Sequence, residues 1–126
     1  MKLEHFALSS KSIEDSDEFF GDILGFTKTR DFQVNADLME QFFGVKKEQQ
    51  ILRYEKDTLS AEIFINKEEP SVKDTFTHIC LVVEDRDKLI KNLAEYGYDY
   101  VKVTRKDKES YYLFIKDKFG NIYEIK

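Results

Sequence analysis

The chain closes on Asp117-Lys118-Phe119-Gly120-Asn121-Ile122-Tyr123-Glu124-Ile125-Lys126. This stretch reads as a tight turn followed by a strand. Phe119-Gly120-Asn121 supplies the turn, because Gly and Asn tolerate positive φ. Ile122, Tyr123 and Ile125 favour extended backbone. Side chains alternate along a strand, so Tyr123 and Ile125 share one face and Glu124 looks out from the other. A carboxylate placed there is either solvated or turned to a polar site.

The same ending occurs once before, at Ala61-Glu62-Ile63. Beginnings repeat as well: His5-Phe6-Ala7-Leu8 aligns with His78-Ile79-Cys80-Leu81. From His to the glycine that ends the following helix is 20 residues in one copy (25 − 5) and 19 in the other (97 − 78). From His to Glu is 57 residues (62 − 5) and 46 (124 − 78). A fixed self-similarity of this kind marks a repeated structural unit.

Each copy reads as βαβββ. Lys2–Leu8 alternates as a strand. Ser9 to Ser12 offers hydroxyls for a helix N-cap, and Ile13, Phe19, Phe20, Ile23 and Leu24 recur at helical spacing up to Gly25. Phe26–Val34, Gln49–Tyr54 and Leu59–Asn66 read as strands, with Glu55-Lys56-Asp57 as a hairpin turn. Asn35–Gly44 is a short helix without a counterpart in the second copy. Its apolar residues Leu38, Met39, Phe42 and Phe43 suit a segment bordering a ligand site. Lys67–Asp74 is polar, holds the only proline and serves as a linker. Phe76–Val83, a helix capped by Asp85 and ended by Gly97, then Tyr98–Thr104, Tyr111–Lys116 and Asn121–Lys126 repeat the order. The expected fold class is α+β: two repeated βαβββ modules with helices on the outside and, if their sheets pair, a cupped mixed eight-stranded sheet. The expected organisation is one domain over 1–126, made of module 1–66, linker 67–74 and module 75–126.

Composition sets outer bounds. The 126 residues are 41% hydrophobic and 14% aromatic, enough for a core, and 36% are charged. A net charge of −5, with no face dominated by Lys and Arg, argues against nucleic acid as a partner. The single cysteine, Cys80, fits a reducing cytoplasm. No apolar run of about 18 residues offers a membrane span, and no signal core opens the chain.

The chain has two histidines, and both fall on equivalent positions of the repeat. Each copy also ends with a glutamate between apolar residues. Phe6, Ile79, Ala61, Ile63, Tyr123 and Ile125 should pack under helices, which turns His5, His78, Glu62 and Glu124 the other way. A strand histidine taken alone is more often structural, and a strand glutamate more often solvated. As a symmetric set, two imidazoles and two carboxylates suit a divalent ion such as Zn, Ni, Co, Fe or Mn.

These residues resemble those of the vicinal oxygen chelate superfamily, which includes glyoxalase I, epimerases, extradiol dioxygenases and the fosfomycin and bleomycin resistance proteins. The resemblance covers the whole chain. It rests on the opening at His5, on Ile23-Leu24-Gly25-Phe26, on Thr77-His78-Ile79, and on Phe114 to Glu124 with its Asp117-Lys118-Phe119-Gly120-Asn121 turn. The ligand pattern of glyoxalase I is matched at His5, Glu62, His78 and Glu124. Asn66 matches a residue that contacts glutathione there, whereas Ser9 stands where that enzyme has an arginine.

The resemblance implies a metal-dependent, glyoxalase-like lyase or isomerase, acting on a small substrate with vicinal oxygens through an enediolate. Glu124 or Glu62 would move the proton. It implies a homodimer in the cytoplasm, with a small molecule as partner. Fe(II) dioxygenase-type chemistry on His5, His78 and Glu124 is the alternative, as is a non-catalytic resistance-type binding protein. Asn66, Arg53 and Tyr112 are the expected substrate contacts. Arg53 and Tyr54 are adjacent on one strand, so only one of them can face the site; the same holds for Tyr111 and Tyr112. Cys80, two residues after His78 on the same strand face, could line the site as a thiol; a small buried residue is the expectation.

Overall fold

Gly25 and Gly97 end the first helix of each repeat with φ of 72° and 74°. That is the left-handed geometry a Cβ would strain, so these two residues punctuate both copies alike. In the computed structural model of the protein, residues 1–71, 73–106 and 109–126 are described. Position 72, in the expected linker, and positions 107 and 108, in the expected second module, lie outside the described residues. The chain divides into two compact units, Met1–Pro70 and Ser71–Lys126.

The first unit contains β1 (Phe6–Ser10), α1 (Ile13–Ser16), a π-helical stretch (Asp17–Ile23), β2 (Thr27–Val34), α2 (Ala36–Phe43), β3 (Gln49–Lys56) and β4 (Leu59–Ile65). Its sheet has the order β1-β4-β3-β2. The second contains β5 (His78–Leu81), α3 (Arg86–Glu95), β6 (Tyr100–Thr104), β7 (Tyr111–Lys116) and β8 (Ile122–Ile125). Its sheet has the same order, β5-β8-β7-β6. In each sheet the first and last strands pair in parallel and the remaining pairs are antiparallel. The α+β class and the twofold βαβββ plan expected from the sequence are therefore observed, as two four-stranded mixed sheets.

Helix starts follow their caps. Ser12, Asn35 and Asp85 accept from Asp15 N, Leu38 N and Lys88 N. The first helix departs from the expected regular form, because after one α turn it widens to i→i+5 bonding, seen where Leu24 N reaches Phe19 O at 3.0 Å. Two adjacent pairs, Phe19-Phe20 and Ile23-Leu24, are all buried. The wider turn lets both members of each pair face inward, and Phe20 stacks on Tyr54 with ring centres 5.3 Å apart.

Strand starts differ from the sequence reading for identifiable reasons. β1 begins at Phe6 rather than Lys2, opposite Ala61, and its ladder follows β4 to Ile65. β5 begins at His78 because Asp74 Oδ1 takes the amides of Phe76 and Thr77 at 2.8 and 2.7 Å, drawing them into a turn. β2 and β6 start late because Phe26 N and Tyr98 N are bonded back to Phe20 O and Leu93 O. β3 runs on to Lys56, and the hairpin turn falls at Asp57, whose φ is 53°.

The core face of the first sheet carries Leu52, Tyr54, Ala61, Ile63 and Ile65; that of the second carries Leu113, Ile115, Tyr123 and Ile125 beside Leu89 and Leu93 of α3. Burial lifts the Tyr54 hydroxyl above the usual phenol range, and it donates to Asp17 Oδ1 at 2.7 Å. Tyr54→Phe keeps the ring stack and removes this bond to a charged group. The expected loss in chemical denaturation is about 1.5 kcal/mol; an unchanged midpoint would show that the bond only offsets desolvation.

Candidate metal centre

Register explains how the site residues reach one face. In the first unit Ala7 lies opposite Glu62 on one side, and Arg53 on the other. In the second, Cys80 and Phe114 flank Glu124 in the same way. Each histidine precedes the residue beside its glutamate by two positions, and so belongs to the glutamate's face. Within each unit the structure therefore forms one His–Glu pair. His5 Nε2 lies 3.5 Å from Glu62 Oε2, and His78 Nε2 lies 3.8 Å from Glu124 Oε2.

The pairs match in finer detail. Glu62 and Glu124 side chains are 16% and 18% exposed, and His5 and His78 are 37% and 40%. In both histidines Nδ1 is engaged from behind, by the Glu4 carboxylate at His5 and by Phe76 O at 2.8 Å at His78. A proton on Nδ1 serves that acceptor and leaves the lone pair on Nε2, the nitrogen turned to the glutamate. This is the arrangement a ligating imidazole needs, with its second nitrogen held by an acceptor. Each pair thus offers one nitrogen and one oxygen donor of the kinds a divalent ion takes.

The expected substrate contacts fall differently. Arg53, not Tyr54, is on the Glu62 face, where Nη1 donates to Glu62 Oε1 at 3.3 Å. Tyr112, not Tyr111, is on the Glu124 face. It is exposed, with the Arg105 guanidinium 4.7 Å from its ring centre. Asn66 lies just past β4; its backbone N donates to Ser10 O at 2.7 Å and its Oδ1 accepts from Glu69 N at 3.4 Å. Phe43 of α2 sets its ring against Phe64, 5.7 Å between centres, on the Glu62 face of the first sheet. Of α2's apolar residues Met39 alone is buried, while Leu38, Phe42 and Phe43 stay exposed.

Two residues at the site correct the sequence reading. Cys80 is exposed rather than buried. Desolvation and a hydrogen bond to Glu124 raise its thiol above the usual range. Alternation puts it on the His78 face, and small size alone does not decide burial. Strict alternation along the expected strand Lys2–Leu8 would put Glu4 on the face opposite His5. The ladder starts only at Phe6, so Glu4 is free of strand alternation and turns to His5 and Arg53.

A protein-family model for the glyoxalases matches residues 2–125. The chain belongs to the Glyoxalase/Bleomycin resistance protein/Dioxygenase superfamily. Among curated proteins no sequence matches this member of the superfamily. Solved structures do. A glyoxalase family protein from Enterococcus faecalis superposes with TM-score 0.72 at 19% identity, covering 98% of this chain and 95% of that one. One from Bacillus cereus gives TM-score 0.78 at 15% identity, covering 99% and 92%. A mutant of the genomically encoded fosfomycin resistance protein FosX from Listeria monocytogenes, complexed with Mn(II) and 1S,2S-dihydroxypropylphosphonic acid, gives TM-score 0.72 at 16% identity, covering 98% and 87%. At such identities the likeness is one of fold. Among the described residues no helix is long and apolar enough to cross a membrane.

Proposed function

We propose that this superfamily member is a metal-dependent, glyoxalase-like lyase or isomerase for a small substrate with vicinal oxygens. His5, Glu62, His78 and Glu124 hold one divalent ion, of the Zn, Ni, Co, Fe or Mn class. The observation that carries this reading is the repeated one: two histidines, each with Nδ1 held by an acceptor and Nε2 turned to a glutamate. FosX, of the same fold, was crystallised with Mn(II) and a ligand bearing adjacent hydroxyls, which suits the same class of site.

A bound ion would supply Lewis-acid polarisation of a substrate carbonyl, acidifying the C–H on the neighbouring carbon. The chain supplies the proton carrier. Arg53 grips Glu62, whereas Glu124 has beside it a thiol and the ammonium of the exposed Lys126, at 3.5 Å. Glu124 is therefore the carboxylate with freedom to leave, take the proton and return it. Tyr112, on the Glu124 face, and Asn66 contact substrate in this reading. A homodimer in the cytoplasm, built from 1–126 as one domain, completes it.

The Arg53–Glu62 pair favours one further reading, an iron centre on His5, His78 and Glu124 alone, with Glu62 outside the ligand set. Elemental analysis and metal titration of Glu62→Ala separate the two. Four-ligand binding predicts a loss of affinity of at least about tenfold. A three-ligand centre keeps its metal. Wild-type protein that takes up no divalent ion between about pH 6 and 8, the range where neutral imidazole and carboxylate coexist, would sink both readings.

A further inference from the structure

Four side chains of the first unit close into a ring. Arg53 Nη2 donates to Glu4 Oε1 at 2.7 Å. The other oxygen of Glu4 takes His5 Nδ1. His5 Nε2 faces Glu62 Oε2 at 3.5 Å, and Glu62 Oε1 accepts from Arg53 Nη1 at 3.3 Å. One guanidinium thus holds both the carboxylate behind the imidazole and the carboxylate in front of it. The second unit is built otherwise. His78 rests on a backbone carbonyl, and the residue opposite Glu124 is Phe114 where Arg53 stands opposite Glu62.

We infer that Glu4 and Arg53 are positioning residues of the proposed metal centre. Glu4 sets the tautomer and plane of His5, and Arg53 fixes Glu4 and Glu62 relative to each other. The inference rests on the reading of His5 and Glu62 as ligands. A neutral imidazole has one lone pair, and a carboxylate at Nδ1 keeps the proton there and Nε2 bare. A guanidinium presents several donors in a fixed plane and so bridges two carboxylates; an ammonium is a point charge and does not fix both. Arg53 also meets Glu55 through Nε at 3.2 Å. Engaged by three carboxylates, it is built to hold rather than to catch an anionic ligand, so its part in the site differs from the substrate contact expected from the sequence. Glu4 is largely exposed, and exposed ion pairs add little to stability. The ring's effect belongs to the imidazole and the metal, not to the melting point.

The test uses the full chain, free of metal, with 15N-labelled histidine. Long-range 1H–15N spectra of the neutral rings report the tautomer. Glu4→Ala is expected to move His5 away from the Nδ1–H form, leave His78 unchanged, and weaken Zn(II) binding by about tenfold or more. Glu4→Gln, whose amide oxygen still accepts, should recover much of the wild-type tautomer. Arg53→Lys should behave like Arg53→Gln, with both weakening Zn(II) at an unchanged melting midpoint. An unchanged His5 tautomer and Zn(II) affinity in Glu4→Ala would overturn the inference, as would full rescue by Arg53→Lys. Wild-type protein that ignores Zn(II) while its His5 tautomer still follows Glu4 would bring down the metal reading and leave the hydrogen-bond assignment standing.

Discussion

Replacing His78 by alanine is expected to lower the affinity for a divalent ion by more than about a hundredfold, the upper end of what even an outer partner of a ligand contributes. The metal-free protein should melt almost as before. His78 is only half sheltered, and its ring meets Phe114 edge-on with centres 5.8 Å apart. Losing that contact costs about 0.5–1.5 kcal/mol. The core side of the second sheet, Leu113, Ile115, Tyr123 and Ile125, is untouched. Thermal melts with and without metal separate the two effects. An ion at 100 times its dissociation constant stabilises the folded protein by about 2.7 kcal/mol, and His78→Ala should lose nearly all of that gain. His5→Ala should lose as much, because the two pairs are alike. If one histidine proves dispensable, a ligand set that includes both is the wrong reading.

The features legible in the sequence were those whose physics is local. Asn35 and Asp85 cap helices through bonds three residues long, and Gly25 and Gly97 end them through their own φ. Alternation placed Glu62 and Glu124 opposite the apolar residues Ala61, Ile63, Tyr123 and Ile125, all of which are buried. Strand ends were not legible, because they depend on where the partner strand begins and on turns such as the one at Asp74. The π-helical stretch was not legible either: its hydrophobic spacing differs little from an α-helix over two turns. The ring through Glu4 was hidden for a stronger reason. Its bond to Arg53 spans 49 positions, and no period or motif links them. Pattern in the sequence reported which face each ligand candidate occupies, while the groups that orient it come from the tertiary fold.

Asp117→Ala is expected to destabilise the protein by about 3 kcal/mol, several hydrogen bonds to a charged group at 1.5–3 kcal/mol each less the desolvation they offset. The turn that closes the chain is assembled on this side chain. Its Oδ1 accepts from Phe119 N at 3.0 Å and Asn121 N at 2.9 Å; its Oδ2 accepts from Asn121 Nδ2 at 2.7 Å and the Tyr123 hydroxyl at 3.1 Å. Gly120, at φ 93°, completes the bend. Alanine leaves the backbone without the acceptor that bends it and takes from Tyr123 a hydroxyl partner deep in the core. The melting midpoint should fall by roughly 10 °C for a chain of this size. Acidity adds a second, signed test. Burial raises the Asp117 carboxyl above its usual value, against the opposing pull of its donors. A carboxyl raised in the folded state binds its proton more tightly folded than unfolded, so its stabilising contribution is complete below the unfolded value and is lost as pH rises through the folded one. The stability gap between wild type and Asp117→Ala should therefore widen as pH falls from neutral toward about 4. A gap that narrows on acidification would mean that the hydrogen bonds to the ionised carboxylate outweigh its burial. A variant that melts with the wild type would mean that the turn is held by Gly120 and its strands alone, with the carboxylate incidental to the strand that presents Glu124.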